Sequence, residues 1–553
     1  MNLLWLDINA SYSHSNLALP LLEAQLQQSL REKCNWKIVS GTVKTPHEKI
    51  LEEIIEFTPD FIFATAWLFN IEYLVRITDC VPSLCKGCRI ILGGPEFLGK
   101  NERFLSSHPE ISAVFKGDGE EIFPEFISII SEDINSDKWL SLPGFEYIGE
   151  SGFTGKERVT VKEFSKLRPA EESRFFRYDK PFVQLETSRG CFNKCRFCVS
   201  GISDEAVVQL DIESVRKRLD NFISHGVSEI RILDRTFNGN RLRAVELLNL
   251  FAGYAGKLKF HLEIHPALLT DDILALLASM PENLLHVEAG MQSLNEEVIE
   301  ACGRKGRSGK AMEGVRKLVA CRKFQIHTDL IAGLPHYTYQ NLLSDVETLM
   351  NSGVDEIQLE TLKLLPGTYF RDNSKTTGLK YASYPPYEII ESESITYKEL
   401  AKCKVLSKII EYWYNDSSWR GYFHPLVSGN QGLLAHFTEY LAQGDFLEKL
   451  YSYEGKSMIL YRFCKEFYPS AVKQIAIGWV SNGLSLKKEP AETVCRWRNG
   501  AGVENPCFEP EERENSYCFI DEGSERIWFV FNRHKERVKP VTVLRINTNI
   551  NLH

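Results

Sequence analysis

Three cysteines, Cys191, Cys195 and Cys198, fall within the eight-residue run "CFNKCRFC". Thiolates this close together bind borderline or soft metals, and two kinds of centre compete for them. A structural zinc site needs four ligands, and the residues that follow supply no second Cys or His pair at suitable spacing. Three thiolates on one loop can also take three irons of a 4Fe-4S cube, which leaves the fourth iron open to substrate or cofactor. A second pair, Cys85 and Cys88 in "CKGC" with Cys80 nearby, precedes an apolar strand, lacks partner ligands and reads as structural. Cys403, Cys464, Cys495, Cys507 and Cys518 are widely separated in sequence, and a second cluster there is the lesser alternative to unconnected cysteines.

The elements that must position these thiols belong to a chain of 553 residues, 43% hydrophobic, which is too long for one ordinary core. No stretch approaches the ~20 apolar residues of a membrane span, and Asp7 interrupts the N-terminal apolar run before it could act as a signal peptide. A cytoplasmic location is expected, with the fourteen cysteines reduced. The net charge of -9 gives no global attraction to nucleic acid or anionic membrane, so neither is indicated as a partner.

Residues 1–135 alternate β-rich runs ("NLLWLDI", "WKIVSGTV", "DFIFATAWL", "RIILGGP", "ISAVFKG") with amphipathic helical stretches. This βαβ pattern predicts a doubly wound, Rossmann-like domain whose ligands sit at the carboxyl ends of its strands. Residues 136–178 read as Gly-rich hairpins and a polar linker. Residues 179–385 form a second βα array with six strands, too few for a closed eight-stranded barrel, which predicts a partial (β/α)6 barrel of TIM type. The three cysteines follow its first strand and precede a helix, on a loop at the active end. Residues 386–553 change to aromatic-rich helices followed by strands, a mixed α+β C-terminal domain. The fold class is therefore α/β with an added α+β domain.

CxxxCxxC with Phe197 before the last cysteine resembles the signature of the radical S-adenosylmethionine (SAM) superfamily. That resemblance answers what completes the cluster: SAM chelates the open iron, and an electron from the cluster cleaves it to methionine and a 5'-deoxyadenosyl radical. It implies further SAM contacts at strand ends: Phe197 against adenine, Asp234 and Asn238 in "LDRTFN", Glu263 in "HLEIHP", Gln292 and Ser293 in "GMQS", Arg304 near the SAM carboxylate, and Asp329 with Gly333 in "DLIAGLP". "LDRTFN" lacks the family's commoner Gly-Gly-Glu. Taken one by one, Glu263 and Asp329 could equally be salt-bridged carboxylates and Arg304 a helix-terminus ligand.

A doubly wound domain directly before such an array resembles the cobalamin-binding subgroup, and "GGPE" and "GDGEE" look like its motifs. The resemblance places corrin contacts at Asn9, His14, Trp67, Gly93, Gly94, Pro95, Glu96, Gly117, Gly119 and Glu120. The D-x-H-x-x-G run of proteins that ligate cobalt through histidine is missing, so no lower axial histidine is expected. The C-terminal domain is DUF4080-like, a type of uncharacterised role. The resemblance implies three cofactors, a 4Fe-4S cluster, SAM and cobalamin, and an external electron donor such as flavodoxin or ferredoxin. The expected activity is methyl transfer to an unactivated carbon; the alternatives are radical SAM rearrangement, oxidation or another group transfer without methylation, and a non-catalytic cobalamin or Fe-S sensor. The absence of a second N-terminal cysteine set argues against a methylthiotransferase.

Overall fold

Leu3 to Leu6, Phe61 to Ala64 and Ile90 to Leu92 are buried whichever way they point, the mark of parallel strands covered on both faces. The computed structural model describes residues 1–202, 206–494, 496–497, 516–522, 525–531 and 540–547. These apolar runs are strands β1 (Asn2–Asn9), β3 (Phe61–Thr65) and β4 (Arg89–Gly93); with β2 (Asn35–Thr42) and β5 (Ala113–Phe115) they form a parallel sheet in the order β2-β1-β3-β4-β5. Alternation divides the side chains. Leu4, Leu6, Ile62, Ala64, Ile90 and Leu92 enter one core layer, whereas Leu3, Trp5, Phe61, Phe63 and Ile91 enter the other. The order reverses between β1 and β3, which creates the crevice at the strand ends where ligands bind in such sheets.

The sheet continues beyond the fifth strand. β6 (Phe145–Gly149) and β7 (Gly152–Thr154), within the stretch read as hairpins and linker, add antiparallel to its edge. Val159 then bridges to Gly117, with Asp118 N donating to Val159 O at 2.9 Å and Val159 N to Lys116 O at 3.0 Å. Gly117 has φ +116°, and a Cβ there would lie 2.0 Å from Val159 O. Only glycine permits so close a backbone approach.

The second array begins with β8 (Val183–Leu185), followed by the short antiparallel pair β9 (Ser188–Arg189) and β10 (Val208–Gln209) around the three-cysteine loop. β11 (Glu229–Ile232), β12 (Lys259–Ile264), β13 (Leu285–Gln292) and β14 (Gln325–Ala332) complete a parallel run in the order β14-β13-β12-β11-β8. The sixth segment, "EIQLETLKLLP", supplies the strand Glu356–Thr361.

The chain divides into two compact units, Met1–Tyr339 with Thr361–Leu400, and Gln340–Glu360 with Ala401–His553. Both βα arrays down to β14 therefore share the first unit. In the second, helices Ser417–Gly429, Leu433–Ala442, Tyr453–Phe467 and Val472–Ser481 pack around Trp413, Trp419 and Trp479, each at most 1% exposed. These aromatics are core. Strands Ser516–Glu522, Glu525–Phe531 and Pro540–Asn547 form an antiparallel sheet. Cys403 and Cys464 are buried, and Cys495 and Cys507 lie outside the described residues.

Candidate functional site

The cysteine loop is held from both ends. Upstream, Arg189 forks onto Glu186, with Nη2 to Oε2 at 2.6 Å and Nε to Oε1 at 3.3 Å, and its Nη1 donates to Glu120 Oε1 at 2.8 Å and lies 3.7 Å from Asp118. Downstream, Arg196 N donates to Cys302 O at 2.9 Å and Lys305 N to Asn193 Oδ1 at 3.2 Å. Asp234 braces the first strand's end by accepting from Thr187 N (2.8 Å), Thr187 Oγ1 (2.6 Å) and Ser188 N (2.9 Å). Asn238 and His265 exchange backbone bonds, Nδ2 to His265 O at 2.9 Å and His265 N to Oδ1 at 2.7 Å. Asp234 and Asn238, expected at SAM, thus already spend these polar atoms on the barrel's own strand ends.

Within the loop, Cys198 N donates to Cys195 O at 3.0 Å, a tight turn that keeps these thiols together, and Cys191 Sγ lies 3.6 Å from Thr236 Oγ1. All three thiols are unpaired. Burial pushes Cys195 up to about 11, opposed by Arg304, whose Nη1 lies 4.0 Å from its sulfur. Among the described residues no three His, Cys, Asp or Glu side chains converge on one ion. A cube makes no such demand, because each of three irons takes its own thiolate. Cys302, which the sequence reading passed over, is wholly buried near Cys195 and pushed up to about 12 by burial. A thiol so reluctant to ionise is a packing residue and a poor fourth ligand.

At the end of β13 the register slips between Gly290 and Gln292, and Gln292 takes φ +61°, left-handed for a non-glycine residue. The bulge re-aims the side chain out of the strand's alternation. Gln292 is 8% exposed, and its Oε1 has no hydrogen-bond partner among the described residues. A buried amide oxygen left open beside Arg304, which itself donates to Gly290 O at 2.9 Å, fits a polar cofactor at this strand end. Ser293 is fully buried, its hydroxyl accepting from Asn295 N at 3.0 Å, and Phe197 is half-buried on the loop. At Gly333, expected near adenine, a Cβ would lie 2.6 Å from the Ile389 side chain, so glycine is what this close packing admits.

Glu263 and Asp329 belong to a polar ladder inside the barrel. Register pairs His261 with His286, Glu263 with Glu288, Glu288 with His327, and Gly290 with Asp329. His261 Nε2 is 3.1 Å from Glu288 Oε2, His327 Nε2 is 3.1 Å from Asp329 Oδ1, and the His261 and His286 rings stack at 4.6 Å. Burial raises Asp329. Glu288 is held low, its own burial outweighed by His261 and Asp329. Glu263, near Arg235 (3.8 Å), is raised to about 7 by burial despite that arginine.

Because the Glu263 value lies above that of an unfolded glutamate, its contribution to stability is complete below the unfolded value and disappears as pH rises through about 7. Glu263→Gln should therefore melt above the parent at pH 8.5 by the equivalent of ~1 kcal/mol, after allowance for its partial exposure, and not at pH 4. Thermal melts of the ligand-free protein at both pH values check this; a gain that did not change with pH would reflect packing.

Above the loop, a cavity of about 670 Å³ joins the carboxyl ends of the first sheet to Cys191 and Arg235 at the top of the second array. Of the residues expected at a corrin, Asn9, His14, Trp67, Gly93, Gly94, Pro95, Gly117, Gly119 and Glu120 line this cavity, whereas Glu96 does not. The Glu96 carboxylate is buried and accepts from the Tyr387 hydroxyl. His14 Nδ1 bonds Ser11 Oγ at 2.9 Å, and Trp67 stacks on Phe69 at 6.3 Å. The volume falls in the range of cofactor pockets. Arg158, Glu186 and Arg189 also line it, and the sequence reading assigned none of them.

Residues 185–349 match the radical SAM superfamily, and residues 375–476 a protein family of unknown function, DUF4080. The chain carries a radical SAM domain. The superfamily's 4Fe-4S cluster and SAM accord with the free thiols, Arg304 and the open Gln292 amide. An uncharacterized methyltransferase of Pyrococcus horikoshii is 23% identical over 63% of this chain and 77% of its own. The cobalamin-dependent radical SAM methyltransferase TokK of Streptomyces tokunonensis is 22% identical over 58% of this chain but only 49% of its own. The cobalamin-dependent SAM radical enzyme OxsB, in its apo form, shares the fold of this chain with TM-score 0.62 at 14% identity, covering 89% of this chain and 82% of that one. No helix among the described residues is long and apolar enough to cross a membrane.

Cys80, Cys85 and Cys88 take no part in the site. Cys85 is buried with its thiol facing Ile54 O at 3.9 Å, and burial pushes Cys88 up to about 12.

Proposed function

We propose that this radical SAM protein is a cobalamin-dependent enzyme that transfers a methyl group to an unactivated carbon. One observation carries the proposal: a single cavity reaches both the strand ends of a doubly wound domain and the three-cysteine loop. The names of TokK and OxsB, both cobalamin-dependent, support it. When bound, the cofactors would supply a radical able to remove hydrogen from such a carbon and a methyl group to replace it. The chain's own part is positional. Asp234, Asn238 and Arg189 fix the strand ends around the loop, Arg304 offsets negative charge at Cys195, and the Gln292 amide oxygen would be free to accept a hydrogen bond from SAM. Trp5, Phe63, Phe115 and Phe123 line the cavity and keep water from a reactive carbon. Electrons come from an external low-potential donor of flavodoxin or ferredoxin type.

The test is anaerobic purification from cobalamin-supplied cells, with iron, sulfide and corrin quantified on one sample. About one cluster and one corrin per chain, with 5'-deoxyadenosine formed on reduction, is the expected result. A cluster without corrin would remove cobalamin from the proposal, and absence of 5'-deoxyadenosine would make the protein a sensor.

A further inference from the structure

The walls of the cavity carry two arginines in opposite circumstances. Arg189 faces three carboxylates, those of Asp118, Glu120 and Glu186, at 3.7, 2.8 and 2.6 Å. Arg158 faces none. Its Nε and Nη1 are shut off from solvent, and neither meets a hydrogen-bond partner among the described residues. A guanidinium in that state is costly, because the desolvated donors receive nothing in return. The acids that bond the backbone on either side of it are paired elsewhere: Asp118 with Arg189 (3.7 Å) and Val161 N (3.2 Å), and Glu146 with Lys116 (3.5 Å) and Lys156 N (3.0 Å).

Nor is Arg158 loosely placed. The next residue, Val159, is pinned to the Gly117 loop by the two backbone bonds on either side of Gly117, in a contact too close for any side chain at that glycine. Extended backbone alternates its side chains, and Arg158 and Thr160, two apart, both line the cavity. The guanidinium is thus carried to the wall by a rigid strap and left without a counterion among the described residues. Planar, permanently charged and forked, it matches phosphate and carboxylate oxygens better than any neutral group.

We infer that Arg158 is the seat of an anionic oxygen group, phosphate or carboxylate, on a molecule bound in the cavity. The inference rests on the cobalamin reading for one of two sources: the phosphodiester of the cobalamin nucleotide loop. The other source is an acidic group of the substrate.

Cobinamide, which has the corrin ring but not the nucleotide phosphate, separates the two. In spectrophotometric titrations of the reconstituted full-length protein, the parent should bind cobalamin more tightly than cobinamide. Arg158→Gln should weaken cobalamin by about 10- to 100-fold, the range of a charge-assisted contact, and leave cobinamide unchanged. Arg158→Lys should recover much of the loss, and unchanged iron loading in both variants establishes that they fold. If the substrate supplies the anion, the cobalamin to cobinamide ratio stays the same in Arg158→Gln, while calorimetry finds inorganic phosphate binding to the corrin-loaded parent and not to the variant. If neither corrin binds the parent, the cobalamin reading fails, and phosphate binding to the corrin-free parent but not to Arg158→Gln would still uphold the seat. Equal behaviour of parent and Arg158→Gln toward cobalamin, cobinamide and phosphate would overturn it.

Discussion

Cys195→Ala should lower iron per chain at least ~10-fold on anaerobic reconstitution and bring 5'-deoxyadenosine formation to background, whereas Cys85→Ala should leave both unchanged. The contrast tests the assignment of two cysteine groups that look alike in sequence. Cys195 is buried on the loop, with Arg304 4.0 Å from its sulfur and Cys191 and Cys198 near enough to raise its proton affinity further. Cys85 is buried in the apolar layer beside the first sheet, where its loss removes only packing, a cost of ~1 kcal/mol or less for so small a side chain. Iron and sulfide analysis with product chromatography decides. Equal loss of iron in both variants would contradict the assignment.

The two βα arrays were legible because parallel strands covered on both faces read as apolar runs, and the helices between them carry a separate periodicity. "NLLWLDI" and "DFIFATAWL" leave little room for another element. β6 and β7 were harder: "FEYIG" and "GFT" are short, rich in glycine and on a sheet edge, so their identity as part of the sheet comes from pairing with β5, which no local pattern announces. Arg158, a few residues further on, was invisible for the same reason. The role of Asp118 and Glu120 was also hidden, since "GDGEE" suggests ligand binding whereas both acids face Arg189.

The barrel ladder, by contrast, was written in the sequence and not read. His261-x-Glu263, His286-x-Glu288 and His327-x-Asp329 repeat one pattern on three neighbouring strands. In a parallel array, charged or imidazole groups at every second position must either face one another inside or disturb the helices outside. Two repeats in register, and a third stepped along by two residues so that His327 meets Glu288, called for the former. The SAM-contact resemblance drew attention to Glu263 and Asp329 individually, and so obscured that their partners are each other's neighbours.

Arg189→Met should destabilise the protein by ~3–5 kcal/mol at pH 8, through the carboxylates it leaves behind. Glu120 is 6% exposed, and burial already raises it, with Arg189 as the main opposing influence. Methionine can keep the apolar stem over Phe164, where the guanidinium now lies 5.0 Å from the ring centre, but it cannot answer the charge. Without Arg189 the Glu120 value rises further above its unfolded one. The folded variant then loses stability as pH climbs through the new value, and regains it on acidification as Glu120 takes up a proton. Its deficit should therefore shrink between pH 8 and pH 5.5, and Arg189→Met/Glu120→Gln should recover part of it, with Glu186 still unanswered at 23% exposure. Denaturant melts at the two pH values measure both effects. Because Arg189 stands two residues before Cys191 and ties Glu186 of the barrel to Glu120 of the first sheet, cluster loading should fall with stability in the single variant and return with it in the double. Recovery of stability without recovery of iron would assign Arg189 a direct part in shaping the loop, beyond neutralising the acids around it.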